Sequence, residues 1–262
     1  MLDEFMEKEK VEVRFFTKVI DADYDPELHF VNGVIISNIE GLHFVKAKAY
    51  IDCTGDAVLA DKCGVEFDVP EVAMAPTLCA RFSGIDWNEM DGIYTHEKRV
   101  EQRRVLQQAV DEGTFPFTYP DKHIPGLFVG IGNTALMNCG HVFGMNALDC
   151  RSLSDGIVTG RRLVQEYTEA YKTFFKEYKN MQLVDTGALM GVRDSRRIKG
   201  EYYLNYEDYL AKRKFPDQIL INASSMDMHV RNTSKEEYER FESQFFDKTT
   251  FEPGEYFVKC FL

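Results

Sequence analysis

The stretch Lys46-Ala47-Lys48-Ala49-Tyr50-Ile51-Asp52-Cys53-Thr54-Gly55-Asp56-Ala57-Val58-Leu59-Ala60-Asp61-Lys62-Cys63-Gly64 decides how the chain is read. Its first part predicts a strand ending at Asp52, Cys53 to Asp56 a tight turn, and Ala57 to Cys63 a short helix that Gly64 stops. A glycine at the carboxyl end of a strand lets a ligand approach the backbone, and the helix after it offers N–H groups. An ordinary strand-to-helix turn with Asp56 as N-cap explains the same residues. Taken alone, that plainer reading is the better one.

Upstream, the residues read as a β-meander. Val11 to Phe16 alternates imperfectly, a turn follows near Asp23 to Glu27, and Val31 to Ile36 and Phe44 to Ile51 supply further strands. Asn32-Gly33 and Glu40-Gly41 mark turn or bulge positions. Downstream, the texture changes from about Val69, where Pro70 and Pro76 break the chain, and a second domain is expected to begin.

In that domain Thr77 to Phe82 predicts a buried strand and Trp87 to Glu112 a charged helical region. Ser152 to Tyr178 is the clearest helix, with Leu153, Ile157, Val164, Tyr167, Tyr171, Phe174 and Tyr178 on one stripe. Ser152 and Asp155 resemble a capping box at its start. Met181 to Met190 and Arg197 to Leu204 then read as strands, Tyr206 to Lys212 as a short helix and Gln218 to His229 as an extended piece. The fold class is α+β.

Composition bounds the function. In 262 residues, 31 basic side chains face 43 acidic ones, a formal charge of -12, so a nucleic-acid surface would have to work against a repulsive field. No apolar run has the length of a membrane helix, and Met1 to Lys8 is acidic and amphipathic, unlike a signal peptide; the compartment expected is the cytoplasm. Six cysteines stand far apart with no CxxC pair, which argues against a zinc or iron–sulfur site and predicts reduced, mostly buried thiols.

Two segments carry candidate chemistry. Gly191 to Tyr202 holds Arg193, Arg196 and Arg197, the densest basic cluster of an acidic chain, and guanidinium forks suit carboxylates and phosphates; a salt-bridged surface strand accounts for it as well. His229, with Asp227 two residues before it, has the residue type of a proton donor, as does His141, although single histidines near strand ends are more often structural. Gly130-Ile131-Gly132-Asn133-Thr134-Ala135 fits a dinucleotide fingerprint with Asp149 as the ribose acid. The helix that should follow is interrupted by Gly140 and Gly144, so we reject it.

Three stretches in order, Ala47 to Ala57 with Gly64-Val65, Gly191 to Tyr202 with Glu207-Asp208, and Arg213 to Asp217 leading to His229, resemble the FAD-dependent oxidoreductase family with a glutathione-reductase-like flavin domain and an inserted substrate domain. Asp149 to Arg161 resembles the start of that family's long helix and places the decoy glycines in a strand of the substrate domain. The resemblance implies an incomplete FAD-binding domain over residues 1–69, made of the meander and the βα turn. A mixed sheet-and-helix substrate domain follows over 70–235, and 236–262 begins the return to the flavin domain. It implies that Thr54, Gly55 and Asp56 lie beside FAD, with the backbone at Val19 toward the adenine. Arg193 and Arg196 would face the isoalloxazine and a small, anionic substrate, with His229 as a further catalytic candidate and no metal.

The family's opening strand, GxGxxG turn and helix have no counterpart here, and Val258 to Leu262 departs from its closing segment. The expected partners are therefore a small-molecule substrate and either a complementing chain bearing the dinucleotide-binding segment or a second copy. The alternatives to a hydride-transferring flavoprotein are an inactive truncated or split product and a non-redox module that binds an anionic ligand.

Overall fold

The computed structural model describes residues 2–90, 96–115, 127–222, 229–245 and 256–259. In chain order the elements are α1 (Leu2–Lys8), β1 (Lys18–Asp25), β2 (Phe30–Asn38), β3 (Gly41–Val45), α2 (Val58–Lys62), β4 (Phe67–Asp68), β5 (Thr77–Ser83), α3 (His96–Asp111), β6 (Leu127–Val129) and β7 (Ala135–His141). They continue with α4 (Cys150–Phe174), β8 (Gln182–Thr186), β9 (Arg197–Ile198), α5 (Tyr206–Leu210), β10 (Gln218–Asn222), α6 (Lys235–Phe245) and β11 (Tyr256–Lys259). Helices mixed with antiparallel sheets make this an α+β protein. The chain divides into two compact units, one formed by residues up to Val69 with Arg196–Tyr203, the other by Pro70–Ser195 with the chain from Leu204.

The first unit is built on the antiparallel meander β1-β2-β3. Its first strand begins at Lys18; the expected strand at Val11 to Phe16 is irregular, and those side chains are exposed, so no apolar face anchors them. Asn32 is the extra residue of a bulge, because Asp23 pairs with Gly33 while Tyr24 pairs with Val31. Val34, Ile36 and Leu59 form the small core, with Val19 and Tyr50 packed on it.

The expected strand through Ile51 stops at Val45. Extended residues become a strand only against a ladder partner, and β3 pairs with β2 over Gly41–Val45 alone. Beyond it the chain is tied to itself, the Tyr50 hydroxyl accepting from the Ala47 N–H at 2.8 Å. β9 pairs with β4, Phe67 opposite Ile198 and Asp68 opposite Arg197, which is why Arg196–Tyr203 belongs to this unit.

The second unit holds the antiparallel sheet β6-β7-β5-β8. Leu78, Ala80 and Phe82 of β5 are buried and Cys79 and Arg81 are exposed, the period of a strand with one covered face. α4 packs against that face. Val164, Tyr167 and Tyr171 meet Phe82, Leu127 and Met137 in the main core, each burial worth about 1.5–3 kcal/mol. Buried Tyr178 is satisfied by Gln102 of α3, which donates from Nε2 to the hydroxyl at 2.8 Å.

The helix is capped by Asp149, whose carboxylate accepts from the Ser152 N–H at 2.6 Å, not by Ser152 with Asp155. Ser152 instead accepts from the Asn146 N–H through its hydroxyl, and Asp155 pairs with Arg151. The decoy glycines make the hairpin turn between β6 and β7, where Gly130 N–H donates to the Thr134 carbonyl at 3.0 Å. β11 pairs with β10 and stays in this unit.

No described helix is long and apolar enough to cross a membrane, and among the described residues no group of three or more His, Cys, Asp and Glu side chains could hold a metal ion. Cys53, Cys79 and Cys150 are exposed free thiols and Cys63 is partly buried, which corrects the expectation of mostly buried cysteines. Cys53 and Cys79 lie in an exposed turn and on the open sheet face, and Cys150 starts α4.

Candidate functional site

The turn of the first unit is closed from inside by one carboxylate. Asp52 accepts the Thr54 N–H at 2.9 Å and the Thr54 hydroxyl at 2.7 Å through Oδ1, and the Ala60 N–H at 3.0 Å through Oδ2. Burial works to raise its pKa, but these hydrogen bonds outweigh it and hold the carboxyl below its ordinary value. Thr54 Oγ1 in turn accepts from the Val58 N–H at 2.8 Å. The N–H groups of α2 expected to face a ligand are therefore engaged within the turn. Sequence reasoning missed Asp52, although Asp-x-Thr is the pattern in which a carboxylate caps the backbone two residues on.

What the turn presents outward is its apex. Thr54 and Gly55 are exposed, Gly55 adopts φ +81, and no atom lies within 4 Å of the position a Cβ would take there. Ala57 follows with φ 52, an uncommon conformation for a residue with a side chain, so the loop is bent into the left-handed region twice within three residues. This is a backbone surface that a flat or polyhydroxylated ligand can approach closely.

Arg196 is held against this turn. Its Nη1 donates to the Asp56 carbonyl at 2.9 Å, its Nη2 to Asp61 Oδ2 at 3.1 Å, and its guanidinium stacks on Phe67 at 5.2 Å from the ring centroid. The sequence reading set Arg196 beside Arg193 on one substrate-facing strand. The structure separates them: Arg196 belongs to the first unit and Arg193 to the second. Val19 of β1 lies opposite Ile36 and packs on the small core, while Asp56 is partly buried and offers its carbonyl to Arg196.

In the second unit, Arg193 Nη2 donates to Thr77 Oγ1 at 3.2 Å, and the Thr77 hydroxyl donates to Asn138 Oδ1. Cys79 Sγ donates to the same Asn138 oxygen at 3.6 Å. These side chains gather because Cys79 lies opposite Asn138 in the β5–β7 register and because Gly191 bridges Thr77 through two backbone hydrogen bonds. A Cβ on Gly191 would sit 2.9 Å from the Thr77 carbonyl oxygen, so only glycine allows that approach. Thr77 and Asn138 had no local signal in the sequence, being joined only by strand register.

His229 and His141 also meet in this unit, His141 Nε2 lying 2.9 Å from His229 Nδ1. Asp227, which the sequence reading paired with His229, lies outside the described residues. A cleft of about 430 Å³ at the start of α4, with Phe143, Met145, Asp155, Thr159 and Arg162 among its walls, contains none of the predicted site residues.

The arrangement can therefore expose backbone to a ligand in one unit and hold a partly buried guanidinium and a partly buried imidazole, each backed by buried polar groups, in the other. Comparison with known proteins finds no significant relative among curated proteins. A family model described as FAD dependent oxidoreductase matches residues 1–256. That match covers nearly the whole chain and carries with it FAD as cofactor and an FAD-linked redox function; the protein belongs to the FAD-dependent oxidoreductase family.

Proposed function

We propose that the chain is part of a cytoplasmic flavoprotein of glutathione-reductase-like architecture that oxidises or reduces a small anionic substrate. When bound, FAD supplies the two-electron acceptor or donor. The observation that carries the reading is the Gly55 apex, open where a Cβ would stand and stiffened from behind by Asp52 and Arg196. This surface fits the family's cofactor, with Thr54, Gly55 and Asp56 against it and the backbone at Val19 toward the adenine.

Arg196 serves that site as a positioning residue, because both its Nη groups are directed at the turn. In the second unit Arg193 binds the anionic group of the substrate, with Thr77 and Asn138 fixing the guanidinium. His229 gives or takes the proton that accompanies hydride transfer.

Phe16, Ile51, Phe15 and Leu42 of the first unit are 99%, 85%, 70% and 68% exposed. A surface so apolar calls for a cover, which we assign to a segment or chain bearing the strand, GxGxxG turn and helix that bind the diphosphate.

The test is a titration of the purified chain with FAD, followed by flavin fluorescence quenching and the visible spectrum. Saturable binding that Gly55→Ala weakens supports the reading. Binding of inorganic sulfate that depends on Arg193, with no flavin binding even when a GxGxxG-bearing partner domain is added, overturns it in favour of a non-redox anion-binding module.

A further inference from the structure

We infer that His141 is a positioning residue that orients the His229 ring and couples the tautomer of His229 to its own. His141 ends β7 with only 2% of its surface exposed, and its Nε2 stands 2.9 Å from His229 Nδ1. The two rings meet edge to face, their centroids 5.2 Å apart at 72°. Two neutral imidazoles can share such a contact only with one proton between them, so the tautomer of either ring dictates that of the other.

The tertiary structure holds both sides of this contact. Phe143 lies 5.6 Å from the His141 ring, centroid to centroid. The residue after His229, Val230, is 2% exposed and packs with Tyr238 and Phe241 of α6, with Phe143 against them. The Val230 carbonyl accepts from the Ala75 N–H at 3.2 Å, which ties the His229 backbone to the segment entering β5. The pair is thus a fixed feature of the second unit. The orientation of the His229 ring is thereby set in advance, as an acid–base group requires.

This inference rests on the reading of His229 as the proton-transfer group, but its test does not need flavin. The full chain is labelled with ¹⁵N, and the His141 and His229 ring nitrogens are recorded by two-bond proton–nitrogen NMR in wild type, H141Q, H141N and H141F. Wild type is expected to show the two rings in matched tautomers, both carrying the proton at Nε2 or both at Nδ1, in equal populations. H141Q, whose amide nitrogen reaches the position of Nε2 and donates there, holds His229 in the Nε2–H form. H141N, too short to reach, releases that hold, as does H141F if that variant folds.

Unmatched tautomers in wild type, or the same His229 ratio in H141Q and H141N, overturn the inference. FAD titration of the same samples separates the two readings: matched tautomers without flavin binding defeat the proposed function and leave the positioning role standing.

Discussion

Arg196 and Asp61 form an ion pair at 3.1 Å, both partly buried, and the same guanidinium reaches the Asp56 carbonyl beside the Gly55 apex. The arginine immediately precedes β9, far along the chain, so the turn depends on a strand that folds back onto β4.

Arg196→Ala removes two charge-assisted hydrogen bonds and a stacking contact from partly buried surroundings. It should destabilise the first unit by about 2–3 kcal/mol. Arg196→Lys should recover less than half of that, because one ammonium cannot reach both acceptors as the fork does. Urea denaturation followed by tyrosine fluorescence measures both, and an Arg196→Ala protein as stable as wild type would sink the clamp.

Asp52 has its carboxyl held below the ordinary range in the folded chain, so folding is favoured by the ionised form. Its contribution is complete above the unfolded value near pH 4 and is lost as the pH falls through the folded value. The stability gap between wild type and Asp52→Asn should therefore be widest near pH 6 and narrow steadily below about pH 4. A gap independent of pH would assign the effect to packing.

Ala57 adopts φ 52 and Gly55 φ +81, so exchanging side chains there has opposite consequences. Ala57→Gly relieves left-handed strain, offset by unfolded-chain entropy, and should stabilise by about 0.5–1 kcal/mol. Gly55→Ala should cost about 1–2 kcal/mol and set a methyl group where a ligand would approach, weakening FAD binding beyond the loss of stability. Thermal melts with and without FAD separate the two effects.

Gly191→Ala would drive its Cβ to 2.9 Å from the Thr77 carbonyl oxygen. The bridge must open, at about 1–3 kcal/mol, and Arg193 would lose its register with Thr77. Hydrogen exchange should show faster exchange at the Gly191 amide, while the β1-β2-β3 meander of the other unit keeps its protection.

Much of this architecture could be read in advance because it obeys a local period. The stripe from Val164 through Tyr167 and Tyr171 to Tyr178 is the covered face of α4 and of the short turn that follows it, and Thr77–Phe82 alternates as a one-sided strand. Asn32-Gly33 marked a bulge. Strand limits were less legible. Val11 to Phe16 and Lys46 to Ile51 have strand composition, yet no ladder partner lies beside them among the described residues.

The sequence by itself determined the α+β class, the helix stripe, the turn at Thr54-Gly55-Asp56 and the identity of the basic and histidine candidates, because propensity, periodicity and turn chemistry act over a few neighbouring residues. Only the tertiary structure decided their partners. It sent Arg196 to Asp56 and Asp61, drew Arg193 to Thr77 and Asn138, and set His141 against His229, residues 88 positions apart. Those pairings depend on strand register and chain reversal, and hydrogen bonds between distant residues leave no trace in the spacing of either one.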